Sequence, residues 1–500
     1  MTHAHTDPII AEGEEHLYLY NRIRFWLNGQ AITAEMPPAQ TTLEYLHQTQ
    51  QLFGTKCSCN EGDCGACTVV VASARKGRIV YEAVNSCLFN AAKLHGKHLI
   101  TVEGIGTPDS LHPIQTALLD FHGTQCGYCT PGFVMSLFAL LASHRNPDQE
   151  TILAALEGNL CRCTGYDSIL KAANFLAGKY APEQIVPEWC RALEPALLSF
   201  HEPSECVNRS SARLYPCQKY CLPRSLSEFD ALREQEPDAI LISGGTDIMV
   251  QMNIQRRHYP VLIDLSCLSG LDGIRETAEG ILIGANVSYS QLLESTLIKA
   301  KLPALQEIIR IIASKQIRNF ATLVGNIANA SPIGDSLPLL LVLGAFLHLH
   351  SRQGERILPL QDFFLAYRQT ALQSDELITG IHIPFPPQGV FIRTLKAAKR
   401  NAVDISSVST AVLIHEEAGI IRQTDLACGG VAAIPKLSLQ FRKAMLNMEL
   451  QGLHPEPIAD FVAKEFTPIS DVRGSSDYRS RALRNQVLKY LNEFLQGRKP

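Results

Sequence analysis

Residues 59–68 read CNEGDCGACT, residues 125–132 read QCGYCTPG and residues 159–166 read NLCRCTGY. Nine of the fifteen cysteines fall between Cys57 and Cys163, whereas Cys428 alone follows Cys267. Clustered thiols in a reducing compartment serve metal binding or catalysis more often than disulfides. Cys59, Cys64 and Cys67 have C-x4-C-x2-C spacing, and nineteen residues separate Cys67 from Cys87. Cys126 and Cys129 form C-x2-C, and Cys161 and Cys163 form C-x-C. The N-terminal third is therefore the expected metal-bearing part.

The first quartet has the spacing of plant-type two-iron two-sulfur ligation. Gly62 and Gly65 would let the backbone wrap an inorganic cluster closely and turn N–H groups toward its sulfides. Structural zinc is the competing use, but zinc knuckles usually pair two C-x2-C elements and only one is present here. On spacing alone the second quartet admits either metal. Its position beside a ferredoxin-like module tips it toward a second cluster, with Pro131 at a helix start placing the first thiol pair at a positive dipole end. No histidine replaces a cysteine in either quartet. His95, His98, His112 and His122 read as packed or exposed side chains, and Cys57 as a neighbour of the ligands.

Outward from these motifs, 500 residues at 55.1 kDa exceed a single core and imply about three domains, with two or four also open. Short β-type runs around one helical stretch mark residues 20–104 as a small α+β unit, and helical periodicity marks 105–180 as a four-helix module. Residues 181–214 lack a sustained period and read as a linker. Alternating strands and helices make 215–388 a large α+β domain, and 389–500 a smaller one. A net charge of -4 disfavours nucleic acid as a partner. The apolar runs Phe133 to Ala142 and Leu337 to Leu347 are too short for a membrane span. MTHAHTDPII offers no basic and apolar leader, so a cytoplasmic location is expected.

LISGGTDIMV puts a strand directly before Gly244, Gly245, Thr246 and Asp247, where two glycines allow close approach to a pyrophosphate. About eighty residues later ATLVGNIANASPIGDSLP supplies a second polar loop with Gly325, Asn326, Ser331, Gly334 and Asp335. Neither is the G-x-G-x-x-G fingerprint, so a Rossmann domain is not expected. Two such loops in one domain favour a dinucleotide, with two unrelated tight turns as the alternative.

In order, CNEGDCGACT, VNSCLFN, QCGYCTPG, NLCRCTGY, ISGGTD, RNFATLVGNIANASPIGD and FFLAYRQT resemble the iron–sulfur and flavin portion of the xanthine dehydrogenase and molybdenum hydroxylase family. The resemblance runs from about residue 20 to the C-terminus, and the size matches the small subunit of bacterial two-subunit xanthine dehydrogenases. It implies a multidomain α+β chain: a ferredoxin-like β-grasp 2Fe–2S domain, a four-helix 2Fe–2S domain, a PCMH-type FAD-binding α+β domain and a C-terminal α+β domain. Cys59, Cys64, Cys67 and Cys87 would bind the cluster nearer the flavin. Cys126, Cys129, Cys161 and Cys163 would bind the one nearer a molybdenum cofactor, whose pterin Gln125 and Cys163 would touch. Leu241, Ile242, Ser243, Gly244, Gly245, Thr246, Asp247 and Ile248 resemble FAD contacts, as do Thr322, Leu323, Val324, Gly325, Asn326, Asp335, Ile378 and Lys396. Asp404 resembles an acidic position beside the flavin that influences access of NAD. Cys57 is extra, and Asn329 stands where some relatives carry a hydroxyl residue.

The resemblance places the molybdenum active site on a partner, so no residue of this chain is expected to be catalytic in hydroxylation. The implied role is electron transfer from the large subunit's molybdenum cofactor through two 2Fe–2S clusters to FAD and then NAD. A heterotetramer of two small and two large subunits is expected, without nucleic acid or membrane. The same relay serving an aldehyde, nicotinate or carbon monoxide is the nearest alternative. A zinc-stapled interaction protein is the alternative from another class.

Overall fold

The computed structural model describes residues 16–211 and 214–497; the leader reading of MTHAHTDPII lies outside them. The chain forms two compact units. The first holds the described residues up to Pro223 with Asp238–Leu265 and Ser314–Phe320. The second holds Arg224–Pro237, Ser266–Ala313 and the described residues from Ala321 onward.

The first unit is built on a nine-stranded sheet around β1 (His16–Leu27). Along β1 the residues Ile23, Phe25 and Leu27 are buried in alternation with Arg22, Arg24 and Trp26, the period-two signature of a strand. β1 pairs antiparallel with β2 (Gln30–Met36) and, through its earlier half, with β6 (Glu205–Ser211). β3 (Thr68–Arg75) and β4 (Arg78–Asn85) follow the first cysteine loop, and β5 (His98–Ile100) joins β3 to β1. The run TVVVA in β3 does not alternate because both faces are covered. Val69 and Val71 pack with Phe25 and Leu46, whereas Val70 and Ala72 pack beneath Phe133 and Phe138 of the helical module. β7 (Lys219–Cys221), β9 (Val261–Asp264) and β8 (Ile240–Ile242) extend the same sheet in parallel pairing.

Four main helices, Pro113–Asp120, Thr130–Ser143, Gln149–Leu156 and Asp167–Lys179, carry the second cysteine quartet. Thr130–Ser143 is apolar all round because it is the buried centre of the module, with every residue from Gly132 to Leu141 enclosed. Asp148 caps the next helix by accepting the Thr151 N–H at 2.8 Å. The described residues of the segment read as a linker carry regular structure instead. Pro182–Ile185, Glu188–Ala192 and Glu194–Leu198 are short helices whose Ile185, Cys190 and Leu197 enter the helical core, and β6 closes onto β1.

The second unit contains a five-stranded sheet of Ile274–Glu276, Gly280–Gly284, Leu377–Pro384, Phe346–Ser351 and Gly354–Pro359, in that spatial order. It also contains a four-stranded antiparallel sheet whose main strands are Phe391–Ala397, Val408–Glu417 and Ile420–Gly429. The Ser476–Gln496 helix lays Leu483, Val487, Tyr490, Leu491 and Phe494 into that sheet's core. The two polar glycine loops, expected in one domain, fall in different units, because parallel pairing of β7, β9 and β8 draws Asp238–Leu265 into the first sheet. Among the described residues, no helix is long and apolar enough to cross a membrane.

His98, fully enclosed in β5, accepts the Gly29 N–H on Nε2 at 3.1 Å. Burial lowers its pKa from 6.5 to about 4. The unfolded chain takes up this proton near pH 6.5 and the folded chain only near pH 4. The histidine thus supports the fold fully above pH 6.5, and stability falls as pH drops from there toward 4, by up to ~1.4 kcal/mol per pH unit. Urea unfolding at about pH 7 and about pH 5 is expected to show that slope, and His98→Gln to remove it; an unchanged slope in the variant would contradict the assignment.

Candidate redox centres

The first quartet sits on the loop between residues 57 and 67 and on the turn after β4. Cys67 and Cys87 are buried, with their sulfurs 3.3 Å apart, while Cys59 and Cys64 are half-buried and hydrogen-bonded to each other. The Cys59 thiol draws Cys64 down to about 6 and is itself pushed up. Cys87 does the same for Cys67, which falls while Cys87 rises. Asn85 Nδ2 also reaches the Cys67 sulfur at 3.7 Å.

In the second quartet Cys126 and Cys163 are exposed, with sulfurs 3.6 Å apart. The hydrogen bonds Cys126 receives from the Tyr128 backbone and from Cys163 lower it, and Cys163 is raised. Cys129, at the start of the Thr130–Ser143 helix, is pushed up to about 12 by burial and by Cys161. Burial opposes ionisation of Cys161 as well, but the Thr164 hydroxyl at 3.2 Å and the Thr164 N–H at 3.4 Å outweigh it and lower the thiol.

Eight thiols therefore meet as four pairs, each with one sulfur favouring the thiolate. Among the described residues, no group of three or more His, Cys, Asp or Glu side chains is arranged to hold a single ion. Each iron of a two-iron cluster takes two thiolates alongside the bridging sulfides, so two pairs per quartet fit that group. The structure brings the eight cysteines singled out in the sequence together as four pairs and leaves Cys57 outside them.

The quartets are joined backbone to backbone. Leu160, next to Cys161, donates its N–H to the Cys64 carbonyl at 2.9 Å. Asn159 Nδ2 donates to the Gly65 carbonyl at 3.1 Å, and Asn159 Oδ1 accepts from Ser136 at 2.7 Å and from Gln316 at 2.9 Å. The Tyr128 hydroxyl donates to the Cys57 carbonyl. Sequence reading found the thiols but not this seam, since Asn159 and Gln316 carry no spacing signal.

Of the candidate flavin residues, Leu241–Ile248 lies in the first unit, running from the end of β8 through a turn into the Ile248–Asn253 helix. Gly245 has φ +80, and Asp247, two residues on, is already right-handed at the head of the helix, a turn that can set N–H groups toward an anion. The helix's last residue, Asn253, donates to the Asn60 carbonyl at 3.1 Å and the Cys87 carbonyl at 2.8 Å, tying this loop region to the first quartet.

Thr322–Asn326, Asp335, Ile378 and Lys396 lie in the second unit. Thr322 caps the Leu323–Ala328 helix by accepting the Gly325 N–H at 3.0 Å, and Asn326 Oδ1 accepts from Ser336 at 2.9 Å. Gly325 is exposed, whereas Leu323 and Val324 are buried. Lys396 and Asp335 pair at 2.9 Å with side chains 3% and 8% exposed. Lys396 also donates to the Ile311 carbonyl at 3.0 Å, and Ser406 to Asp335. Both charges are thus engaged with each other, and Ile378 is buried within the Leu377–Pro384 strand, opposite Leu349. Asp404 accepts N–H groups of Lys399 and Arg400 at 2.9 and 3.1 Å, closing its own loop. Within the first unit, the left-handed Gly245 at the turn into a helix suits a phosphate group; within the second, Thr322 caps its own polar loop.

Comparison with known proteins places these sites in a class. Residues 25–89 match the 2Fe-2S iron-sulfur cluster binding domain and 101–174 the 2Fe-2S binding domain. Residues 215–386 match the FAD binding domain in molybdopterin dehydrogenase, and 393–494 the CO dehydrogenase flavoprotein C-terminal domain. The chain is built from the iron–sulfur and flavin domains of the molybdenum hydroxylase family.

It is 34% identical over 487 residues to Xanthine dehydrogenase/oxidase of Rattus norvegicus, covering 86% of this chain and 36% of that protein. Aldehyde oxidase 2 of Cavia porcellus is 31% identical over 535 residues, covering 94% of this chain and 40% of the relative. The chain thus spans well under half the length of these curated relatives. Among solved structures, carbon monoxide dehydrogenase from Hydrogenophaga pseudoflava, lacking the Mo-pyranopterin moiety of its molybdenum cofactor, matches with a TM-score of 0.53 and 28% identity. The match covers 55% of this chain and 96% of that one.

Proposed function

We propose that the chain is the electron-transfer subunit of a xanthine dehydrogenase, acting between a partner subunit's molybdenum centre and NAD during oxidation of hypoxanthine and xanthine to urate. Cys126, Cys129, Cys161 and Cys163 hold the 2Fe–2S cluster that faces the partner, and Cys59, Cys64, Cys67 and Cys87 hold the inner one. Leu241–Ile248 and Thr322–Asn326 hold FAD, with Asp335, Ile378 and Lys396 in support. When bound, the clusters supply one-electron transfer and the flavin joins it to two-electron hydride chemistry. The protein's own part is positional. The exposed Cys126 and Cys163 put one end of the relay at the surface, the Leu160 to Cys64 hydrogen bond holds the quartets together, and Asn253 holds the flavin loop against Cys87.

The seam between two cysteine quartets, each arranged in thiol pairs, carries this reading. The xanthine assignment rests on likeness to the rat protein; likeness to the guinea pig aldehyde oxidase and to carbon monoxide dehydrogenase supports the second reading, the same relay with another substrate. The purified chain with its co-purifying partner is expected to form NADH on hypoxanthine and xanthine. Turnover confined to aldehydes or carbon monoxide would replace the substrate assignment, and full turnover by the isolated chain would contradict the division of labour.

A further inference from the structure

Lys93 lies on the short Ala91–Leu94 helix, six residues beyond Cys87, with its side chain only 8% exposed. It pairs with Asp264 at 2.9 Å, whose carboxylate is fully buried at the end of β9 and also accepts the Tyr220 hydroxyl. The ammonium donates in addition to the Ser243 carbonyl. The pair is electrically neutral as a unit, so its effect on an anion comes through geometry more than through net charge.

In a trans peptide the carbonyl and the following N–H point in opposite directions. With the Ser243 carbonyl drawn inward to Lys93, the Gly244 N–H faces away from the ammonium. Gly244 and Gly245 together would otherwise let this peptide plane rotate at little cost, since glycine occupies both signs of φ. We propose that Lys93, anchored by Asp264 and Tyr220, is a positioning residue that fixes the Ser243–Gly244 peptide so that the loop's N–H groups are preset for a diphosphate. This rests on the reading that Leu241–Ile248 holds the flavin's diphosphate.

Flavin affinity of the cluster-containing full chain, freed of flavin and titrated with FAD, tests it. Lys93→Met alone strands the Asp264 charge and endangers folding, so the informative variant is Lys93→Met with Asp264→Asn. It is expected to bind FAD about tenfold more weakly, equivalent to ~1.4 kcal/mol. Its iron content, cluster resonance signals and flavin-free melting temperature are expected to match the parent. Lys93→Arg, which keeps a donor for the carbonyl, is expected to recover most of the affinity. Unchanged FAD affinity in the double variant would overturn the proposal while leaving the flavin reading intact. A parallel loss of iron or melting temperature would assign Lys93 a structural role and overturn it too. A parent chain that binds no FAD would remove the flavin reading itself.

Discussion

Serine in place of Cys67 is expected to reduce iron from about four atoms per chain to about two, and labile sulfide with it. Cys67 and Cys87 form the buried pair of the first quartet, 3.3 Å apart and 2% and 1% exposed. A hydroxyl in that position is a harder and far less acidic ligand than a thiolate, so one iron loses a soft donor with nothing nearby to replace it. Cys57 is a spare thiol two residues before Cys59, but burial pushes it up and away from the thiolate form. The second quartet lies on other helices and keeps its four thiols, so one of two cluster resonance signals remains. Iron analysis with paramagnetic resonance of the reduced protein checks this. Both signals surviving at full iron would show that Cys67 is not a ligand.

Alanine at Gly65 is expected to destabilise the first unit by about 2–5 kcal/mol. The residue has φ +67, and an added Cβ would lie 2.2 Å from the Gly158 carbonyl oxygen and 2.6 Å from Asn159 Nδ2. The left-handed backbone costs alanine ~1–2 kcal/mol, and overpacking a rigid contact adds about 1–3 kcal/mol. Relief is not available on the other side, where the Gly65 carbonyl itself closes against Gly132. Gly77 separates the two contributions: its φ is +75 but nothing lies within 4 Å of an added Cβ. Gly77→Ala is expected to show the backbone part only. Equal denaturation midpoints for the two variants would mean that the seam between the quartets is loose.

The thiols and the four helices around the second quartet were legible because their signals are local. Spacing marks the candidate ligands, Asp148 and Pro131 mark helix starts, and a 3.6 period marks the buried faces. Residues 181–214 were not legible for the opposite reason. Their short helices owe their order to Ile185, Cys190 and Leu197 entering a core made elsewhere. β6 is a polar strand, ECVNRSS, held by pairing with β1 and by Arg209 on Glu35 at 2.7 and 2.8 Å. Neither shows in periodicity. Parallel pairing of β7, β9 and β8 likewise joins segments far apart in sequence, so the first candidate flavin loop gave no sign that it shares a sheet with the ferredoxin-like strands. Asp264 did offer a clue. A charge ending the apolar run PVLID has to find a partner if buried, but nothing in the sequence pointed to Lys93.

Iron, labile sulfide, zinc and flavin measured together on the purified chain bear most directly on the account. It predicts about four iron and four sulfide with one FAD per chain, and two distinct resonance signals on reduction. A colourless protein carrying about two zinc ions and no flavin would contradict it.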